Sequence, residues 1–136
     1  MLEGNNLQLA GAFVPVALAT KSAHDEGVDL ALRTARLLAE CGTEAVVVLA
    51  DDNGADPQRT SRAGRVREVD MLPRESWDCF VEGVTRIADE VRAQTGIKTV
   101  FHHHCGGYVE TPSEVDFLLT HTEPDLLGLC LDTGHF

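Results

Sequence analysis

The chain has 136 residues, of which 43% are apolar and 24% are charged, and its mean hydropathy is −0.07, a composition typical of one soluble globular domain. The 22 acidic residues outnumber the 11 lysines and arginines, so the formal net charge is −11. Nucleic-acid binding needs a basic surface, and this balance argues against such a partner. The longest apolar stretch, roughly residues 9–19, is too short to span a membrane and lacks the preceding positive charge of a secretory signal. We therefore expect a cytoplasmic protein without a membrane partner, folded as a single domain over residues 1–136.

Short apolar runs alternate with amphipathic stretches along the chain, which predicts repeated βα units around a parallel sheet. Four apolar runs are predicted strands, at residues 7–18, 44–50, 98–103 and 125–131. Because proline cannot donate a backbone hydrogen bond, Pro15 is expected to end the pairing of the first strand. The second run has no polar alternation, which is typical of a strand covered by helices on both faces or packed in a barrel.

Two amphipathic stretches between these runs are predicted to be long helices. The first, at residues 25–41, has apolar positions at three- and four-residue intervals, and Gly42 follows where a left-handed C-cap is wanted. The second, at residues 74–95, has the clearest apolar stripe, and Gly96 marks its end.

A shorter helix is predicted between the last two strands. Thr111 and Glu114 match a capping box with Pro112 at the first helical position, and the helix should reach about His121. This pattern assigns Glu114 to the helix cap. We expect His121 and His24 at the surface.

The connection from Asp51 to Leu72 is long and polar, with acidic residues and arginines in nearly equal numbers. A long loop after a strand is where βα architectures keep substrate contacts, although a solvated insertion has the same composition. Its arginines could clamp an anionic substrate, but the acidic residues around them favour a self-neutralising solvated loop. The arginines are Arg59, Arg62, Arg65 and Arg67, and the acidic residues are Asp51, Asp52, Asp56, Glu68 and Asp70.

Three consecutive histidines lie at the carboxyl end of the third predicted strand. Side chains alternate along a strand, so His102 and His104 should point to one face and His103 to the other. That strand end is where parallel sheets and barrels bind ligands, and Gly106 and Gly107 behind it allow close approach to the backbone. A single buried histidine is usually structural, but two on one face at a strand end favour a functional site.

The last predicted strand ends near Asp132, and His135 follows past a glycine and can turn back toward the same pocket. Carboxylate and imidazole together suit a borderline divalent ion such as Mn²⁺, Co²⁺ or Zn²⁺, rather than Ca²⁺. Glu110 is a further carboxylate, which could act as a ligand or favour the positive N-terminus of the following helix. Together with the histidine cluster, this Asp-x-x-His pattern predicts a metal site.

The four cysteines are far apart in the sequence and form no Cys-x-x-Cys pair. Neither a zinc knuckle nor a disulfide framework is therefore expected. We expect reduced, mostly buried thiols at Cys41, Cys79, Cys105 and Cys130.

The stretch HHHCGGYVETPSEVDFLLTHTEPDLLGLCLDTGHF resembles the central part of the xylose-isomerase-like, or sugar phosphate isomerase/epimerase, TIM-barrel superfamily. Within this superfamily it is most similar to the inosose dehydratases. The shared features are the histidine run, the glycine turn, the threonine-proline helix start, the T-x-P-D step and the LDTGH ending. The resemblance is close over residues 98–136 and loose upstream.

The resemblance implies an α/β fold, a (β/α)₈ TIM barrel of about 250 residues, of which this chain would supply about four βα units with parallel strands. The chain opens almost directly with a strand and stops at Phe136, with no helix after the last strand. A parallel sheet needs covered faces and protected edges. We therefore expect a partial barrel, a segment of something larger.

For the site, the resemblance implies a divalent metal, Mn, Co or Zn with Mg as a further option, at the carboxyl ends of the strands. Asp132 matches the family's aspartate ligand, and His135 matches the neighbouring histidine that contacts substrate or a second metal. The glutamate that many relatives carry at the end of the fourth strand falls on His102 here, while Glu110 offers a carboxylate a few residues later, so the first ligand has two candidates. His104 is the candidate base or substrate-orienting residue, or else a histidine bonded to a nearby backbone carbonyl.

Two functions of different classes follow from these expectations. By resemblance, the chain is a metal-dependent isomerase, epimerase or dehydratase of a small sugar or polyol, in which a base removes a proton next to a metal-polarised carbonyl. Alternatively, it is a non-catalytic barrel fragment that is active or stable only when paired with another chain, and we expect a homo-oligomer. The endonuclease branch of the superfamily shares the Asp-x-x-His pattern, but the net charge of −11 disfavours it.

Overall fold

A computed structural model describes residues 3–41 and 44–135 of the chain. Strands and helices alternate as predicted. The strands are β1 (Gly11–Val16), β2 (Val46–Asp51), β3 (Lys98–His102) and β4 (Leu127–Cys130). The α-helices are α1 (His24–Cys41), α2 (Pro57–Ser61), α3 (Arg74–Thr95) and α4 (Pro112–Thr120), and short 3₁₀ turns lie at Glu3–Asn5, Lys21–Ala23 and Glu68–Asp70.

The four strands form one parallel sheet in sequence order, β1-β2-β3-β4. In the register, Phe13 of β1 pairs with Val48 of β2, Val48 pairs with Val100 of β3, and His102 of β3 pairs with Cys130 of β4. Parallel strands that neighbour one another in sequence order, joined through helices, are the arrangement of a (β/α)₈ barrel. The predicted fold class, an α/β partial barrel with parallel strands, is confirmed.

One face of the sheet carries the hydrophobic core. Val14, Leu49 and Phe101 of successive strands are fully buried there, against α1 and α3, and Phe80 and Ile87 of α3 are fully buried in the same cluster. Burying a side chain of this size contributes about 1.5–3 kcal/mol. The helices are therefore held on the sheet by their apolar stripes, and the opposite sheet face is left to the barrel interior.

The structure corrects the predicted end of the first strand. Pro15 lies inside β1, and pairing with β2 continues to Val16. Backbone hydrogen bonds between the first strand and β2 use every second residue of the first strand. The carbonyl oxygens of Ala10 and Val16 accept the N–H groups of Val46 and Asp52, so the even-numbered residues between them face β2. Pro15 falls between these positions, so its missing N–H lies on the side away from β2 and costs no hydrogen bond there.

The predicted helix signals hold at α3 and α4. Helix α3 spans the predicted residues, and Gly96 ends it in a left-handed conformation with φ 72°. Helix α4 begins after Thr111, whose side chain accepts the backbone N–H of Glu114, and the capping box is present. The proposed cap at Gly42 lies outside the described residues. No helix within residues 3–41 and 44–135 is long and apolar enough to cross a membrane.

Two predictions about burial are wrong. His24 is fully buried, with Nε2 2.9 Å from the carbonyl oxygen of Leu18. Its ring occupies space left by Gly83 of α3, where a Cβ would lie only 2.6 Å from Nε2. Of the free thiols, Cys41 is exposed and the other three are only half-buried. His121 is exposed, as predicted.

Candidate metal centre

The carboxyl ends of β3 and β4 bring three potential metal ligands together. Ligand atoms of His102, Asp132 and His135 all lie within 4.8 Å of one another, and the three side chains are half-buried. His102 is the last residue of β3, whereas Asp132 and His135 follow β4. Because β3 and β4 are paired neighbours, residues about thirty positions apart in the sequence meet at one edge of the sheet.

The turn after β4 is shaped by hydrogen bonds to Asp132. The Gly134 N–H donates to Asp132 Oδ1 at 2.7 Å, and the His135 N–H donates to the Asp132 carbonyl oxygen at 3.1 Å. The turn leaves Nδ1 of His135 3.1 Å from Asp132 Oδ2. The hydrogen bond from Gly134, together with the charge of nearby His135, lowers the pKa of Asp132 below its usual value. The carboxyl is therefore ionised at neutral pH, as a metal ligand must be.

His103 lies on the opposite face of β3, as side-chain alternation predicts, and it is fully buried. The backbone N–H of Asp132 donates to its Nε2 at 3.2 Å. Burial, reinforced by the neighbouring His102, lowers the pKa of His103 and favours the neutral ring, which can accept this hydrogen bond. His103 thus holds the segment that carries Asp132, a role that the sequence analysis did not assign although alternation already separated this residue from its neighbours.

His104 adjoins the three potential ligands but is anchored elsewhere. Its ring stacks on His135, with 5.5 Å between ring centroids, and lies 5.3 Å from the ring of His102. Its Nδ1 is 3.2 Å from the Cys105 carbonyl oxygen and 3.2 Å from Nδ2 of Asn53, in the connection after β2. Burial lowers the pKa of His104, so the neutral, proton-accepting form is favoured. The contact with Asn53 was not predicted.

Glu110 lies outside this group of ligands in the described structure. Its two carboxylate oxygens accept the backbone N–H groups of Gly64 and Gly106, both at 2.8 Å, and the residue is 6% exposed. It therefore ties the connection after β2 to the loop after β3. Of the two candidates for the first ligand, His102 is the one that the structure places beside Asp132.

A buried ion pair between Arg59 and Glu114 lies beneath these loops. The Nη1 and Nη2 atoms of Arg59 lie 2.9 and 3.0 Å from the carboxylate oxygens of Glu114. The guanidinium also donates to the carbonyl oxygens of Gly107 and Asp70. The expectation of a solvated loop is therefore wrong for Arg59. It is buried because the short helix α2, with Asp56 as its N-cap, forms within the connection and carries Arg59 to Glu114.

The other arginines of the connection are partly or fully exposed. Arg62 and Arg67 pair with Asp70, and the hydrogen bonds of Arg67 to this carboxyl contribute most to lowering its pKa to about 2. Arg65 has no acidic partner within residues 3–41 and 44–135. It lines a cavity of about 280 Å³ that His135 also lines.

Asp51, the last residue of β2, joins the loops at this edge. Its Oδ1 accepts the Leu18 N–H at 3.3 Å and its Oδ2 accepts the Tyr108 N–H at 2.9 Å. Burial outweighs these two hydrogen bonds and raises the pKa of Asp51 to about 6. The Tyr108 hydroxyl in turn donates to Asp56 Oδ2 at 2.9 Å. Asp51 is thus committed to the fold rather than to the group of ligands.

The chemistry of the donor set fits a divalent cation. Two imidazoles and one carboxylate form a combination that first-row transition metals and zinc accept, whereas Mg²⁺ and Ca²⁺ prefer oxygen ligands. One oxygen of Asp132 is bonded to backbone, which leaves the other next to His135. His102, Asp132 and His135 could therefore supply three ligands to a divalent ion, and such a site would need at least one more from water, substrate or protein.

Comparisons with known proteins agree with the fold. The family model described as the xylose isomerase-like TIM barrel matches residues 1–136. The chain is 29% identical over 134 residues to an inosose dehydratase from Bacillus cereus (strain AH820), with 98% of this chain and 44% of that protein covered. It is 30% identical over 129 residues to an inosose dehydratase from Geobacillus kaustophilus (strain HTA426), with 95% and 41% covered.

A solved structure is similar as well. It is the crystal structure of a xylose isomerase-like TIM barrel protein from Mycobacterium smegmatis in complex with magnesium, with a TM-score of 0.67 and 18% sequence identity. The match covers 98% of this chain and 44% of that chain. The present chain thus spans less than half the length of these relatives. Its whole length matches the family model, and the chain belongs to the xylose isomerase-like TIM-barrel family.

Proposed function

We propose that this chain carries part of the active site of a divalent-metal-dependent sugar or polyol isomerase, epimerase or dehydratase, similar to the inosose dehydratases. The observation that carries the proposal is the convergence of His102, Asp132 and His135 at the carboxyl ends of β3 and β4. Barrel enzymes bind their small-molecule substrates at this edge. The names of the relatives, which include inosose dehydratases and a protein in complex with magnesium, support the same function.

His102, Asp132 and His135 would hold the metal ion. Their two imidazoles favour Mn²⁺, Co²⁺ or Zn²⁺, with Mg²⁺ as the weaker option. When bound, such an ion polarises a carbonyl or hydroxyl oxygen of the substrate. His103 supports the site from behind, because it accepts the backbone N–H of Asp132 and so fixes the position of this ligand.

His104 is the proposed base. It lies against His135, and in the tautomer whose Nδ1–H donates to the Cys105 carbonyl oxygen, the unprotonated Nε2 is left for the substrate. The neutral ring would accept a proton from the carbon next to the substrate carbonyl. In a dehydratase, the resulting enolate would expel hydroxide from the carbon on the other side of the deprotonated carbon. In an isomerase, the proton would instead be delivered to the former carbonyl carbon, while the hydroxyl proton of the deprotonated carbon moves to the former carbonyl oxygen.

Metal binding by the 136-residue chain tests this proposal. We expect stoichiometric Mn, Co or Zn in elemental analysis, and a dissociation constant that rises at least about tenfold in Asp132→Asn, since one charged ligand is lost. Asp116→Asn is the matched control, because Asp116 is exposed on α4, away from the site. Retained affinity in Asp132→Asn would exclude the proposed site.

A second candidate role is favoured by the uncovered inner face of the sheet. Phe13 is 52% exposed on the face that it shares with His102 and His104, whose rings lie 6.1 and 6.4 Å from it. We propose that this chain by itself is a non-catalytic barrel segment, and that it associates as a homo-oligomer through this face and the sheet edges. Light scattering should then give a mass above 14.7 kDa with no turnover of keto-polyols. A concentration-independent monomer would contradict the association.

A further inference from the structure

One buried carboxyl connects the segments that follow three neighbouring strands. Asp51 ends β2 and is 7% exposed. Its Oδ1 accepts the N–H of Leu18, in the segment after β1, and its Oδ2 accepts the N–H of Tyr108, in the loop after β3. Both N–H groups are held to the end of β2 by this carboxyl, so each of them reports on whether its segment stays in place.

The same three segments surround a cavity of about 340 Å³. The residues that line it include Ala17 and Thr20 after β1, Asp51 and Asp56 in the connection after β2, and Tyr108 after β3. A second hydrogen bond across the cavity joins the Tyr108 hydroxyl to Asp56 Oδ2 at 2.9 Å. The cavity therefore keeps its shape only while the three segments remain together.

Ionisation of Asp51 places an uncompensated charge inside this arrangement. Burial, with a smaller contribution from the charge of Asp52, raises its pKa to about 6, although its hydrogen bonds to backbone act in the opposite direction. Asp56 is a further negative charge at the cavity, because hydrogen bonds from the Arg59 backbone and the Tyr108 hydroxyl hold its pKa below the usual value. No ion pair involving Asp51 is found within residues 3–41 and 44–135.

The basic side chains that contact the partners of Asp51 are directed to other groups. The guanidinium carbon of Arg59 lies 5.1 Å from the centre of the Tyr108 ring, but the guanidinium is bound in its buried ion pair. His24 of α1 lies with Nε2 2.9 Å from the carbonyl oxygen of Leu18. An ionised Asp51 would therefore gain its best new partner, water, only if the segments separate.

We propose that Asp51 makes the closure of this cavity depend on pH: its protonated carboxyl holds the segments after β1 and β3 against the end of β2, and its ionisation favours their separation. The buried carboxyl of the closed state has the higher pKa, and the hydrated carboxyl of the open state has the usual one. Closure is therefore fully favoured below about pH 4 and is weakened as the pH rises from there through about 6.

This inference is independent of the proposed metal centre. Leu49 of β2 pairs with Phe101 of β3, so Asp51, two residues after Leu49, shares a sheet face with Phe101. His102 points to the other face. A failure of metal binding would therefore leave the inference intact.

Amide hydrogen exchange of the 136-residue chain tests the inference. Protection of the Leu18 and Tyr108 amides measures the ratio of closed to open molecules. Because the two states differ by about two pKa units, we expect both protection factors to fall about 100-fold between about pH 3 and about pH 7. Low urea concentrations should leave these two amides unaffected, whereas they should lower the protection of Phe101, which exchanges through global unfolding.

Two substitutions separate Asp51 from its surroundings. Asp51→Asn keeps one acceptor oxygen but cannot ionise, so the protection that remains at Leu18 and Tyr108 should not change with pH. Asp52→Asn is the matched control, since Asp52 is exposed and lines the same cavity. The fall should persist in this variant and lie at slightly lower pH, because one like charge is lost.

Three results would overturn the inference. They are protection of Leu18 and Tyr108 that does not vary with pH, a fall that Asp51→Asn retains, and exchange that follows Phe101 at every urea concentration. If Asp51→Asn does not fold, the carbon-13 shift of the Asp51 carboxyl in the wild type takes its place. A titration midpoint near pH 6 is the expected result, and a midpoint near the usual 3.8 would contradict the inference.

Discussion

Two groups of charged and titratable side chains lie at the same edge of the sheet, and they differ in whether other protein groups supply their hydrogen-bond and ion-pair partners. Arg59 and Glu114 are fully buried, and the guanidinium donates to the carboxylate and to backbone carbonyls. His102, Asp132 and His135 are half-buried, and among residues 3–41 and 44–135 only the Asp132 side chain of these three has a backbone hydrogen-bond partner. A buried charge has to be paired by the fold itself, whereas a half-exposed ligand can be completed by an ion or a substrate. Burial and pairing, rather than charge, therefore separate the structural group from the candidate metal ligands.

The largest expected effect comes from breaking the buried ion pair. Glu114→Ala leaves the guanidinium of Arg59 buried without its counter-charge and also removes the acceptor for the backbone N–H of Thr111. We expect the free energy of unfolding to fall by about 3–5 kcal/mol, measured by chemical denaturation. The exposed pair of Lys21 and Glu82 is the control, since Glu82→Ala should have little effect. A loss no larger than that of the control would show that the buried pair is not structural.

The buried carboxyl of Asp51 should make the free energy of unfolding depend on pH. Its pKa is about 6 in the folded chain against a usual value of 3.8, so the folded carboxyl keeps its proton to higher pH than the unfolded one. Its contribution to stability is therefore complete below about pH 4 and is lost as the pH rises through about 6. At about 1.4 kcal/mol for each pKa unit, the total is about 3 kcal/mol. The unfolding free energy of the wild type minus that of Asp51→Asn should fall over this range. A difference that stays constant with pH would be evidence against the shifted pKa.

Glu110 tests whether a carboxylate at the strand ends belongs to the fold or to the metal site. Glu110→Gln keeps only one acceptor oxygen for the N–H groups of Gly64 and Gly106. We expect a loss of about 1–3 kcal/mol in the free energy of unfolding, with metal affinity unchanged. The opposite pattern, weakened metal binding in a chain of normal stability, would make Glu110 a ligand.

Substitution of His103 should have the smallest effect of these changes, and we expect it on the affinity for the metal ion. His103→Phe fills the same space but cannot accept the backbone N–H of Asp132. We expect the dissociation constant of the metal to rise about tenfold, because the ligand segment is less well held. Measured by calorimetric titration, His103→Gln should bind more tightly than His103→Phe, since its side chain retains an acceptor. Equal affinities for wild type and both variants would remove His103 from the site.

The elements of the fold were largely predictable because their signals are local. The apolar stripe of residues 74–95, the stop at Gly96 and the capping box at Thr111 depend on residues within one or two helical turns, and each is confirmed. Helix α2 had a local signal too, since Asp56 precedes a proline at the first helical position. The acidic and basic composition of the connection hid this signal, and the burial of Arg59 was missed with it.

The candidate site was predictable only in part. Strand-end position and side-chain alternation predicted that His102 and His104 share a face, and the structure places His102 with Asp132 and His135. The surroundings of Glu110 and Arg59 depend on contacts across 46 and 55 residues of sequence, to Gly64 and Glu114. The room for His24 likewise comes from Gly83 of another helix. Local spacing carries no information about such distant partners.

The sequence by itself determined the alternation of strands and helices, the ends of its clearest helices, and the strand ends at which histidines and Asp132 gather. These features follow from periodicity and from the fact that parallel strands end at a common edge. Only the tertiary structure decided which charges are buried and paired and which remain available to a ligand. The free energy of a charged group depends on everything packed around it, and those neighbours come from distant parts of the chain.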